Sequence, residues 1–411
     1  MGTESRYRFY VVDDDPIYTE RMRRFLEAAG HAVTTANSSR QAMEEILNRP
    51  PDCLLLDVMM PEIDGLQMLK QLRNNSDFDN VTIVMVSGKA YEFDRQRARS
   101  FGADGYVTKP IASPDIVEKL TRILEDRIML SFWGVHGTLP VPGPKTVRYG
   151  GNTSCVSMAF SKGPFFIFDA GSGIKALSDH ILSTYSSPFR ATLFITHPHW
   201  DHINALPFFA PLYMQGNEFE MCGPAHGDID IKSLLSAQMD GVYFPIKIKE
   251  FASTLNFRDL GEETLEMDGV RIRTLLLNHP GTCLGYRVEY KGRSLCYVTD
   301  NELYPPETDF FNEHYRDRLV RFVEKADVLI TDTTYTDEEY PAKIHWGHSC
   351  VSQVADLAAR ASVGTLYLFH HDPDHSDDTV DQKLETAQKL LRSWNSETAC
   401  VAPHEGLEVR I

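Results

Sequence analysis

The chain has 411 residues, 42% hydrophobic and 24% charged, with a formal net charge of −17. That length holds two or three domains with full cores. The acidic balance argues against non-specific nucleic-acid binding, which needs a cationic surface to neutralise phosphates. It leaves room for a small phosphate compound at a locally positive metal site.

Seven scattered cysteines (Cys53, Cys155, Cys222, Cys283, Cys296, Cys350 and Cys400) form no Cys-x-x-Cys and read as the reduced thiols of a cytoplasmic protein. Met1 to Arg8 has no apolar core behind it, and no run approaches a membrane span, so neither export nor membrane insertion is expected. Phe9 to Val12 reads as a buried strand ending in Asp13-Asp14-Asp15. A helical period runs from Ile17 to Ala29 and stops at Gly30, with Asp15 as its cap. His31 to Ala36 is a short strand, and Ser39 to Asn48 a helix. Cys53 to Asp57 is apolar on both faces, as a central parallel strand requires. Val81 to Ser87 and Asp104 to Pro110 supply two more strands, and a helix over Pro114 to Asp126 closes the unit. Alternating strand and helix over residues 1–127 gives a doubly wound, flavodoxin-like α/β domain.

Asp13, Asp14 and Asp57 all fall at carboxyl ends of strands, and so do Ser87 and Lys109. Converging carboxylates need a cation, and Mg²⁺ is the hard, oxygen-preferring candidate. A carboxylate beside Mg²⁺, a lysine and a hydroxyl can accept a phosphoryl group. Lys109 would stabilise the transferred oxygens and Ser87 would bond the product. Val12-Asp13-Asp14, Leu56 to Pro61, Asp64-Gly65, Ser87-Gly88 and Tyr106 to Pro110 resemble the receiver domain of two-component response regulators. The resemblance implies that a sensor histidine kinase phosphorylates Asp57 and that Asp13 and Asp14 help hold Mg²⁺. It also implies that Tyr106 changes rotamer, and that receivers can pair near Tyr106 as a homodimer. Arg95, Arg97 and Arg99 form a basic cluster, read as a solvated helix face or a contact face.

Residues 128–411 form the second domain. Strands are expected at Ile128 to Trp133, Ser154 to Phe160, Phe165 to Phe168 and Ala191 to Ile195. Asp169 to Gly173 turns into a helix. Pro207 to Leu260 reads as an insertion of helix and loop. Strands resume at Val270 to Leu277, Leu284 to Tyr290, Ser294 to Val298, Val328 to Ile330 and Thr365 to Phe369, with a helix over Ser349 to Ala361. Two strand-rich halves with outer helices fit an αββα sandwich.

The densest signal is Thr196-His197-Pro198-His199-Trp200-Asp201-His202. Three imidazoles and a carboxylate lie between a strand and a helix. In an extended turn His197 and His199 point the same way, with Asp201 and His202 offset. Such a loop can serve two neighbouring ions, and nitrogen and oxygen donors suit zinc, manganese or iron. The pattern His-x-His-x-Asp-His resembles the signature of metallo-β-lactamase-fold hydrolases. His279, Asp300 and His370 each follow a later apolar run. The resemblance implies His197, His199 and His279 on one metal, Asp201, His202 and His370 on a second, and Asp300 bridging them. Neighbouring residues of a strand face opposite ways, so His370, not His371, is expected at the metals. His375 is expected at the surface.

Phe132-Trp133-Gly134, Asp169-x-Gly171-x-Gly173, Asp300, Asp332 to Tyr335 and Gly347-His348-Ser349 resemble the tRNase Z and phosphodiesterase branch. There His348 would assist the leaving group, with His345 as the fallback, while Asp201 would orient the attacking water. Trp133 and His136 depart from the branch pattern, His136 as a candidate to reach the pocket. Asp332 stands where a glutamate is common. With no long basic arm for tRNA, the expected substrate is a small phosphodiester, such as a cyclic nucleotide or phospholipid head group. The alternatives are a diiron sensor of oxygen or redox state, and a hydrolase of carbonyl esters such as thioesters or lactones.

Overall fold

The computed structural model describes residues 7–78, 81–88, 92–109, 115–125, 128–161, 163–242 and 244–411. It divides into two compact units, the second beginning at Ile128. Pro110, Pro114, Asp126 and the residues before Tyr7 lie outside the described residues, as does the Arg99 side chain.

The first unit holds β1 (Arg8–Val12), β2 (Ala32–Ala36), β3 (Cys53–Asp57), β4 (Thr82–Ser87) and β5 (Gly105–Thr108) in one parallel sheet of order β2-β1-β3-β4-β5. The strands sit where the apolar runs put them, because β3 and β4 are buried along their whole length. Helices Pro16–Ala28, Ser39–Asn48 and Gly65–Arg73 alternate with the strands. Asp15 caps the first of these, accepting from the Ile17 and Tyr18 amides. That satisfies two donors that a helix start leaves unpaired. Gly30 ends the segment at φ +86°, a conformation that costs glycine little. Arg95 lies over the Tyr106 ring and Arg97 over Phe101.

Among its described residues the second unit contains fourteen strands in two sheets of seven. They are β6 (Ile128–Gly134), β7 (Cys155–Phe160), β8 (Phe165–Phe168), β9 (Arg190–Phe194), β10 (Glu218–Pro224), β11 (Thr254–Leu260), β12 (Thr264–Met267), β13 (Val270–Leu276), β14 (Leu284–Tyr290), β15 (Arg293–Val298), β16 (Val328–Asp332), β17 (Thr365–Phe369), β18 (Ala399–Val401) and β19 (Glu408–Arg410). One sheet runs β11-β10-β9-β8-β7-β6-β19 and the other β12-β13-β14-β15-β16-β17-β18. Their facing sides share one aromatic core, including Phe132, Phe168, Phe194, Tyr286, Tyr297 and Phe369. Helices Ile174–Thr184 and Ile231–Ala237 cover the outer face of the first sheet. Helices Glu313–Val323, Val351–Arg360 and Asp377–Ser393 cover that of the second. The result is the αββα sandwich.

The structure corrects the reading of Pro207 to Leu260. That stretch is not only helix and loop, since β10 and β11 extend the first sheet in parallel register. Phe219 and Met221 of β10 are buried under the outer helices and Cys222 in the core between the sheets. The alternation Leu255, Phe257 along β11 is the period-2 signal of a strand. All seven cysteines are buried and unpaired. Among the described residues, no helix is long and apolar enough to cross a membrane.

Candidate metal centre

In the second unit the polar residues gather where strands end. After β8 comes Asp169, after β9 the His197–His202 loop, after β13 His279, after β15 Asp300, and after β17 His370. Asp169, Asp300 and His370 each take a left-handed backbone, with φ of +60°, +56° and +59°. For residues other than glycine that costs about 1–2 kcal/mol each, and such strain gathers at functional sites. The kink turns each side chain out of the strand toward a common point.

Two groups of donors result. His197, His199 and His279 form one, and Asp201, His202, Asp300 and His370 the other, whose Asp300 and His370 also make an overlapping set with Asp332 and His348. Asp300 spans both. Its Oδ1 lies 3.2 Å from the Nε2 atoms of His202 and His370. Its Oδ2 lies 3.6 Å from His197 Nε2 and 3.8 Å from His279 Nε2. His202 Nε2 and His370 Nε2 are 3.3 Å apart. Donors around a tetrahedral ion bonded at about 2.0–2.1 Å stand about 3.3 Å from one another, so the spacing suits divalent ions. His197 Nε2 is buried with no hydrogen-bond partner, which is costly unless the lone pair has a use. The donor set and its spacing fit two ions sharing one carboxylate.

Neighbouring groups hold the rings. Asp169 Oδ2 is 2.8 Å from His202 Nδ1 and accepts from Tyr297 Oη. His279 Nδ1 faces the Gly347 carbonyl at 2.9 Å, and His370 Nδ1 faces Thr334 Oγ1 at 3.1 Å. Such bonds fix the tautomer and leave the other nitrogen toward the centre. The Thr138 amide donates to Asp201 Oδ2 at 2.7 Å. Burial pushes His197, His199 and His279 below the ordinary imidazole range, and their neighbouring imidazoles push the same way. These rings are therefore neutral and carry lone pairs. Burial opposes charge on Asp300 and Asp201, yet the surrounding histidines hold both carboxyls well below their usual range.

His348 stands beside the second group, its ring stacked 5.0 Å from that of His370. Its Nδ1 is 2.7 Å from Asp332 Oδ2. Burial disfavours the charged ring, but the Asp332 carboxylate outweighs it and raises the pKa to about 9. His345 is exposed and packs on Phe310. Two expectations are corrected. His375 is buried rather than at the surface, with Nε2 3.0 Å from Glu339. His136 does not join the donor groups; it is buried edge-on against His371, their rings 5.7 Å apart.

Several residues that the geometry makes important carry little signal in the sequence: Asp169 reads as part of a turn and Thr334 as one residue of a polar stretch, yet both hold metal-facing histidines. Buried Lys383 donates to the carbonyls of Thr333 (2.6 Å) and Thr334 (3.3 Å). Gly137 admits the His370 ring, because a Cβ there would lie 2.1 Å from it. Exchanging Gly137 for Ala is expected to displace His370 and lower turnover by about 100-fold, the order that a 1 Å misplacement can cost. Metal content by mass spectrometry should fall with it, and unchanged metal content and rate would contradict the role.

In the first unit, Lys109 Nζ lies 2.6 Å from both Asp13 Oδ2 and Asp57 Oδ1. Burial pushes the Asp13 and Asp57 carboxyls up, opposed by Lys109. Asp14 is exposed beside them, Ser87 is buried and Tyr106 half-buried. Asp57 Oδ2 accepts from the Met59 amide at 2.8 Å. Gly65 can approach only because it has no Cβ, which would lie 1.9 Å from the Asp57 carbonyl.

An acid–lysine site at the carboxyl edge of a doubly wound sheet, followed by an αββα sandwich with a buried His/Asp centre, defines a two-module protein. The modules are a receiver and a metallo-β-lactamase-fold domain. Residues 9–121 match the response regulator receiver domain and residues 166–371 the beta-lactamase superfamily domain. The chain belongs to the β-lactamase superfamily and carries a receiver domain. It is 35% identical over 121 residues to the transcriptional regulatory protein BaeR of Escherichia coli O6:H1, covering 29% of this chain and 49% of that protein. It is 36% identical over 117 residues to the response regulator MprA of Mycobacterium ulcerans, covering 28% and 50%. The chain thus spans about half the length of the curated relatives it matches. The metallo-β-lactamase fold protein YhfI from Bacillus subtilis superposes with a TM-score of 0.52 at 16% identity, over 70% of this chain and 100% of that one. That likeness concerns the fold alone.

Proposed function

We propose that this chain is a response regulator whose output is a metal-dependent phosphodiesterase for a small phosphodiester, set by phosphorylation of Asp57 by a sensor histidine kinase. The observation that carries the reading is Asp300, one oxygen toward each donor group, with the His348–Asp332 pair beside it. His197, His199 and His279 would hold one divalent ion, Asp201, His202 and His370 the other, with Asp300 between them. A pair of such ions supplies an activated water and a clamp on phosphoryl oxygens. Thr138 N–H fixes the Asp201 carboxylate, so its remaining acceptor capacity can orient that water. Asp332 holds His348 through Nδ1 and keeps the ring protonated, so Nε2 can give a proton to the departing oxygen. In the receiver, Asp13, Asp14 and Asp57 would hold Mg²⁺, and Lys109 would neutralise the transferred phosphoryl group.

The test is hydrolysis of bis(p-nitrophenyl) phosphate by the full chain with added Mn²⁺ or Zn²⁺, with and without acetyl phosphate. Turnover that the donor changes on the order of five-fold or more, a modest coupling free energy, is expected, and Asp57→Ala should abolish the change. Turnover indifferent to the donor would remove the gating, and no turnover with any phosphodiester would remove the activity.

A further inference from the structure

Glu302 follows Asp300 by two residues and is fully buried, yet it has no part in the chemistry above. A buried carboxylate is costly unless hydrogen bonds replace its water. Three neutral groups donate to this one. The Tyr340 hydroxyl and the His345 amide reach Oε1, both at 2.9 Å, and the Gly347 amide reaches Oε2 at 2.8 Å. All three come from the stretch just ahead of His348. The backbone there is left-handed twice, with φ of +75° at His345 and +84° at Gly347. That conformation is uncommon for a residue other than glycine and persists where its surroundings hold it. The Glu302 carboxylate takes the amide of each of these two residues.

What Glu302 holds in place meets His279. The Gly347 carbonyl lies 2.9 Å from His279 Nδ1, and a Cβ on Gly347 would lie 2.3 Å from the same atom. The loop backbone is therefore pressed directly onto the ring. The main chain of Glu302 reaches the same histidine from its other side, since its amide donates to the Asn278 carbonyl at 2.8 Å. The neighbours of Glu302 tie in the end of the loop. The Leu303 amide donates to Ser349 Oγ at 3.1 Å, and Ser349 Oγ donates to the Asn301 carbonyl. Glu302 thus joins the backbone ahead of His279 to the loop that meets its ring.

We propose that Glu302 is a positioning residue of the metal centre, acting through His279. Its side chain holds the Gly347 carbonyl against Nδ1, which keeps the ring turned and leaves Nε2 toward the His197/His199/His279 group. Carbonyls that fix a ligating imidazole in this way tune metal affinity. The inference rests on the two-ion reading of the centre and needs no particular substrate. Glu302→Gln is the informative exchange. The amide keeps the size but has only one oxygen, so whichever way it turns, its NH₂ faces the N–H of either His345 or Gly347. One of the two strained positions then loses its acceptor.

Two measurements on the full chain test this. In the first, Mn²⁺ is titrated by calorimetry into the unaltered chain, Glu302→Gln, His279→Ala and the double variant. Glu302→Gln is expected to weaken one of the two ions by about 10–100-fold. In the His279→Ala background the same exchange should add less than about two-fold, because a residue that acts through another is not additive with it. No loss in the single variant, or an equal loss in both backgrounds, would overturn the role while leaving the two-ion centre standing. An unaltered chain that binds no divalent ion would overturn both. The second measurement needs no variant, so it decides the matter even if Glu302→Gln does not fold. Hydrogen exchange at single amides of the unaltered chain should show His345 and Gly347 exchanging on the order of 100-fold or more slower than in an unfolded peptide. Exchange of either amide at the unfolded rate would overturn the hold of Glu302 on the loop.

Discussion

Asp300→Asn is expected to lower affinity for the second divalent ion by at least about 100-fold, since even partners of ligands cost 10–100-fold when lost. Asp300 has an oxygen toward each donor group. The amide keeps its size but loses its charge and replaces one acceptor with a donor. Buried Asp300 faces His197, His202, His279 and His370. Phosphodiester turnover should fall at least as far. Isothermal titration with Mn²⁺ and metal counting would check it. A variant holding two ions per chain with turnover within a few-fold would refute the sharing of Asp300.

The second large effect concerns His348. For a diester with an alkoxide leaving group, His348→Ala should lower kcat by about 10²–10⁴-fold, the usual worth of general acid catalysis. With p-nitrophenolate, which departs without a proton, the loss should be far smaller. Equal losses for both leaving groups would mean that His348 only shapes the site. The pH dependence follows from Asp332, which raises the His348 pKa to about 9. A group with a raised pKa keeps its proton below that value and loses it as pH rises through it. Turnover of the alkyl diester should therefore be sustained through neutral pH and decline near pH 9. Asp332→Asn removes the supporting charge, so its decline should begin at lower pH.

Much of this was legible in sequence because it is local. Parallel strands buried on both faces appear as unbroken apolar runs, which is why Cys53–Asp57 and Thr365–Phe369 could be read directly. Active groups sit at strand ends, so the residues following such runs could be picked out. The His197–His202 loop packs four donors, three imidazoles and a carboxylate, into six positions, and that density pointed to a metal site.

Other features depend on contacts between residues far apart in the chain. Asp169 matters because folding brings it 2.8 Å from His202, 33 residues on, and no short motif encodes that. His375 lies in a polar stretch and reads as surface, yet Glu339 meets it at 3.0 Å and it is buried. His136 is next to a conspicuous turn, but the sheets place it against His371 and away from the donors. Sequence periodicity fixes which residues face a core and which end a strand. Which of those ends share one point in space is decided by strand order, and strand order is a property of the folded sheets.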